Sequence, residues 1–145
     1  MDGYDFEKLA REILSSRIGE LEKKPELAAD IAREMIVPAV KSTRQRQDPR
    51  ATVAAVARGV LGGLMLLGKS LPEGAVSLLK SMGSVASDAH LDPQDVMIWS
   101  MEGIASVCKV AGAQTSDRVG AVIEENFMGA GAVFQELLSR AVKPS

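Results

Sequence analysis

The sequence predicts an all-α protein, a compact bundle of about six helices. Apolar residues recur at helical spacing almost throughout and nowhere alternate convincingly with period two. Asp48–Pro49 and Asp92–Pro93 each set an N-cap carboxylate ahead of a first-turn proline. Val119, Val122, Ile123, Phe127, Val133, Phe134 and Leu137 then trace one stripe near the C-terminus.

The first helix is expected near 3–22, with Phe6, Leu9, Ala10, Ile13, Leu14, Ile18 and Leu21 on its apolar face. Pro25 bounds it, because the residue before a proline avoids the helical region. A second helix follows near 26–46. Pro38 removes a hydrogen bond inside it, so a kink or break is expected there, with a polar continuation through Lys41, Arg44 and Gln47.

The third helix, near 49–68, and the fifth, near 93–111, are apolar around most of their circumference. Such helices are interior elements, so these two are placed centrally, with the first, fourth (72–90) and sixth (116–142) packed outside. Leu71–Pro72–Glu73 gives the fourth helix a weaker start. Thr115, Ser116 and Asp117 offer a hydroxyl-capped start for the sixth, after a stop at Gly112.

Residues Ala51 to Gly68 contain one charge, Arg58, over a length that borders on a transmembrane span. An arginine at the centre costs about 3 kcal/mol on insertion scales, so a buried core helix accounts for the segment better. The acidic start Met1–Asp2–Gly3–Tyr4–Asp5 does not resemble a secretory signal. A cytoplasmic protein with no membrane association is expected, forming a single helical domain over 1–145.

A shift of 44 positions superposes Asp48 on Asp92, Pro49 on Pro93, Gly59 on Gly103 and Gly68 on Gly112. That period suits two-helix repeats, but four identities support no more than two similar hairpins in the C-terminal two-thirds. Glycines at 59, 62, 63, 83, 103, 120, 129 and 131 fall inside the expected helices. Each costs roughly 0.8–1 kcal/mol against alanine. Close helix approach is the expected compensation; room for an apolar ligand is the other reading.

The composition excludes several chemistries. The chain has 145 residues, 46% hydrophobic and 3% aromatic, with one histidine and one cysteine. One cysteine forms no internal disulfide, and His90 with Cys108 is too few ligands for a His/Cys zinc site. His90, between Asp88 and Asp92, falls at a helix end and reads as a terminus residue. Cys108, in line with Met101, Ile104 and Ala111, reads as a buried inert thiol. Glu124 and Glu125 diverge on a helix and make no carboxylate dyad. The glycines at 59, 62 and 63 lack the Lys-Ser or Lys-Thr ending of a phosphate loop. No residue-level motif identifies a family.

A net charge of −2 conceals one asymmetry. Residues 41–60 carry Lys41, Arg44, Arg46, Arg50 and Arg58 against Asp48 alone, between acidic flanks. Lys41, Arg44, Arg46 and Arg50 are the candidate contact residues for an anion or partner, and their rival fate is pairing with the chain's own acidic helices. No catalytic, cofactor or metal residues are assigned. The expectation is a non-enzymatic interaction or scaffold protein that binds a protein partner or itself, a homodimer included, with the first helix as a docking element. Two alternatives stand beside it: a carrier of a small apolar ligand in a Gly/Met-rich interior, and a weak nucleic-acid or anion binder through 41–50.

Overall fold

Side chains that occupy free backbone N–H groups mark where four of the described helices begin. The computed structural model describes residues 5–42 and 47–141, and among these all regular structure is helical. The helices are α1 (Phe6–Ser16), α2 (Ile18–Lys23), α3 (Leu27–Lys41), α4 (Pro49–Leu66), α5 (Leu71–Ala89), α6 (Pro93–Ala111), α7 (Ala113–Asn126) and α8 (Ala130–Arg140). Asp48 caps α4 by accepting from Ala51 N at 2.8 Å, and Asp92 caps α6 by accepting from Gln94 N at 2.8 Å. Both capping aspartates therefore act as their Asp-Pro sequence predicts. Asp5 and Ser70 do the same for α1 and α5, accepting from Lys8 N and Glu73 N.

Several expectations need correction. The first helix is interrupted at Arg17, whose backbone leaves helical geometry (φ −116°, ψ 29°) before α2 begins. Pro38 lies within α3 without ending it, and the helix stops instead at Lys41, where Ser42 turns extended (ψ 134°). The expected continuation through Arg44 lies outside the described residues. The start of α7 carries no hydroxyl cap. Ser116 points back and donates to Cys108 O at 3.1 Å and to Gly112 O at 3.0 Å, closing carbonyls at the end of α6.

The long last helix is two. Phe127 departs from helix at φ −139°, and Gly129 takes φ +91°, a left-handed conformation that favours glycine. The Glu124 carboxylate reaches across the turn and accepts from Gly129 N (3.0 Å) and Gly131 N (3.0 Å), so the end of α7 caps the start of α8. The apolar period survives the break because Val119 and Ile123 of α7 and Phe134 of α8 enter the same core.

The helices form two rows. In the first, α1 packs on α4, α4 on α6 and α6 on α8; in the second, α3 packs on α5 and α5 on α7. Among the described residues α1 touches neither α6 nor α8, so packing passes from neighbour to neighbour along each row. As expected, α4 and α6 lie inside the first row. The fourth expected helix, α5, is not peripheral: it is flanked by α3 and α7 and buries Leu78, Leu79, Met82 and Val85.

Glycine sets the spacing of the first row. A β-carbon on Gly59 would stand 2.3 Å from Glu7 O and 2.8 Å from Ala10 Cβ, while one on Gly63 would meet Leu14. The pairing advances together on both helices, from Glu7 and Ala10 to Arg11 and Leu14, so α1 and α4 run parallel. Gly103 repeats the contact one helix further on, with Ala54 O at 2.4 Å. The space these glycines vacate is filled by the neighbouring helix and contributes no room for an apolar ligand. The 44-residue shift thus relates two hairpins, α4–α5 and α6–α7, that start with the same cap and approach the preceding row member through a glycine. At Gly62 and Gly83, by contrast, nothing lies within 4 Å.

The segment considered above as a membrane span is core: Val53, Val56, Val60, Leu61 and Leu64 of α4 are buried. No helix among the described residues is long and apolar enough to cross a membrane.

Candidate functional site

The basic segment is dispersed rather than gathered. Lys41 is exposed in the last turn of α3, where a cation complements the helix dipole. Arg44 and Arg46 lie outside the described residues. Arg50 is committed to Glu102: its Nε and Nη2 donate to the two carboxylate oxygens at 3.1 and 2.8 Å, tying α4 to α6. That hydrogen bond, followed by the carboxylate charge, raises the Arg50 pKa. Arg58 donates to Glu7 at 3.0 Å and ties α4 to α1. Arg50, Arg58 and Arg140 then border a groove of about 330 Å³ over α4, α6 and α8. Each of the three already holds a carboxylate, Arg140 through Glu136.

The two candidate reactive side chains are placed for structure. His90 is exposed and closes α5 in left-handed geometry (φ 58°, ψ 46°). Its neighbours are engaged elsewhere, Asp88 with Arg33 of α3 and Asp92 as the cap of α6. Cys108 is fully buried, and desolvation pushes its thiol up to about 12, which disfavours the nucleophilic thiolate. Among the described residues no group of three or more His, Cys, Asp or Glu side chains is placed to hold a metal ion.

A different surface has the features of a binding site. Where the start of α3, the first half of α5 and the end of α7 meet, a groove of about 470 Å³ opens to solvent. Pro25, in the turn before α3, and Pro72, in the first turn of α5, give it walls without backbone donors, and half-buried Val76 and Val122 give it an apolar floor. A smaller hollow of about 180 Å³ against Leu21 and Leu64 continues it, sharing Pro25, Glu73 and Ser77. Its far end is closed by Lys69, whose Nζ lies 3.5 Å from Glu22 Oε1.

Helix geometry places the rim. Glu26 precedes α3, Glu73 sits in the first turn of α5, and Glu125 sits in the last turn of α7. All three are exposed, and none forms an ion pair with another described residue. Lys80, one turn beyond Val76, stands among them. Sequence reasoning missed this site because its members come from three helices. A detectable signal was the pair of prolines at helix starts, Pro25 and Pro72, each adjoining a glutamate.

Comparison with known proteins adds no relative: no protein-family model matches the chain, and no curated protein or solved structure shows significant similarity to it.

Proposed function

We propose that this chain is a non-enzymatic interaction protein that engages a protein partner through the groove between α3, α5 and α7. The observation that supports the reading is the combination there of an apolar floor, donor-free proline walls and glutamates that form no ion pair among the described residues. Binding surfaces join an apolar centre to a polar rim in this way. The arginine groove supports the reading less well, since its cations are already neutralised within the chain.

Photo-cross-linking in living host cells tests the proposal. A photoreactive residue at Ser77, inside the groove, is expected to give a discrete protein adduct, whereas one at exposed Ser139 of α8 gives none. Absence of an adduct at Ser77, or the same adduct from both positions, overturns it.

Self-association is a second reading, favoured by the free edge of the first row. Leu9 of α1 is 43% exposed and Ile18 of α2 38%, at the end of the row where, among the described residues, α1 has a row neighbour on one side. Sedimentation tests it: a strict monomer at tens of micromolar counts against it, and a dimer that dissociates on Leu9→Lys supports it.

A further inference from the structure

Resting on the partner-binding reading above, we infer that the occupant of the α3–α5–α7 groove is a basic peptide segment that seats apolar side chains on Val76 and Val122.

The occupant follows from what the groove offers and what it lacks. Its floor removes apolar surface from water, which any apolar chain would satisfy. Its rim is selective. Glu26, Glu73 and Glu125 approach from three helices and are answered within the groove by Lys80 alone among the unpaired described residues. Of the other nearby cations, Lys69 faces Glu22, and Lys24, which also feels the Glu26 charge, is held by Asp30. Helix dipoles modify this balance without reversing it: the α3 and α5 N-termini add partial positive charge beside Glu26 and Glu73, and the α7 C-terminus adds partial negative charge beside Glu125. An acidic segment would therefore meet like charge on three sides, and a neutral one would leave the carboxylates without partners. Lysine or arginine flanking an apolar anchor satisfies both parts of the surface.

The rival surfaces gather less unspent charge, a single Glu34 in the hollow between α3 and α5 among the described residues. Arg50, Arg58 and Arg140 each hold an intramolecular carboxylate, so an anion would have to displace one. Nearer α5's end, Asp88 is held by Arg33, and Asp30 by Lys24.

Fluorescence anisotropy with two labelled probe peptides tests the inference on the intact chain. One probe carries leucine at helical spacing with lysine at every other position, and its counterpart carries glutamate in place of each lysine. The lysine probe is expected to bind and the glutamate probe to fail. Affinity for the lysine probe falls steeply as added salt shortens the Debye length from about 10 Å to about 3 Å. Glu73→Gln with Glu125→Gln is expected to weaken binding about tenfold or more, with circular dichroism unchanged. Glu12→Gln, at an exposed position of α1, leaves it unchanged, because α1 touches neither α5 nor α7 among the described residues.

Equal binding of both probes, binding insensitive to the double substitution, or no binding of either overturns the inference. A dimer dissolved by the same two substitutions assigns the groove to a second copy of the chain and overturns it as well. Each result is separate from the Ser77 cross-link. An adduct there with no preference for the lysine probe preserves the partner reading and removes the basic segment; no adduct removes the partner reading itself.

Discussion

Gly103 of α6 lies against Ala57 of α4 so closely that a β-carbon on Gly103 would stand 2.7 Å from the Ala57 β-carbon. Backbone closes the remaining space, with Ala54 O 2.4 Å from the same point, so a rotamer change cannot make room. Gly103→Ala and Gly59→Ala should each force α4 away from its row neighbour and destabilise the fold by about 1–3 kcal/mol. At Gly62 and Gly83 nothing is within 4 Å, so alanine gains helix propensity without a clash and should stabilise by roughly 0.8–1 kcal/mol. Urea unfolding midpoints of the four variants check the sign at each position. Destabilisation by Gly83→Ala would contradict the account.

His90 is the one non-glycine residue among those described with positive φ. A β-carbon in that left-handed geometry costs roughly 1–2 kcal/mol, which glycine does not incur. His90→Gly is therefore expected to raise stability by about 1 kcal/mol, partly offset by the greater freedom of glycine in the unfolded chain. Thermal denaturation reads the change.

Burial keeps the Cys108 thiol protonated up to about 12, against an ordinary value of 9.0. Below pH 9.0 folded and unfolded chains hold the same proton and the group is silent. Above it the unfolded chain ionises first, so the contribution of Cys108 to stability falls as pH rises through that window. Iodoacetamide at pH 8 should leave the folded protein unmodified and label it rapidly in denaturant. Mass spectrometry at timed intervals distinguishes the two.

Glu124 caps α8 from outside that helix, accepting two backbone N–H groups. Glu124→Ala should cost about 1 kcal/mol, the usual effect of losing an N-cap, with faster hydrogen exchange concentrated at the start of α8. Uniformly faster exchange across α4 and α6 would argue against a local role.

Much of the fold was legible because the signals are local. Asp48–Pro49 and Asp92–Pro93 specify their helix starts with adjacent residues, and the apolar faces of α4 and α6 reveal helices enclosed by others. The breaks at Arg17 and Gly129 were hidden because the apolar period runs across both. The tight sequence Gly129–Ala130–Gly131 signals the second break in retrospect. Helix glycines looked alike in sequence, yet Gly59 and Gly103 meet backbone whereas Gly62 and Gly83 meet nothing. That difference lies in the neighbouring helix.

The site was less legible for the same reason. Nothing near Arg50 in the chain announces Glu102 as its partner, so the basic segment looked more available than it is. Glu26, Glu73 and Glu125 stand far apart in sequence and become one rim only when α3, α5 and α7 align as a row.

Chemical-shift mapping of isotopically labelled protein with the lysine–leucine probe tests the groove most directly. The account predicts perturbed amides clustered at Ser77, Lys80, Val122 and Asn126, with Arg50, Ser106 and Leu9 unmoved. Perturbations gathered around Arg50 and Ser106, or along α1 at Leu9, would contradict it.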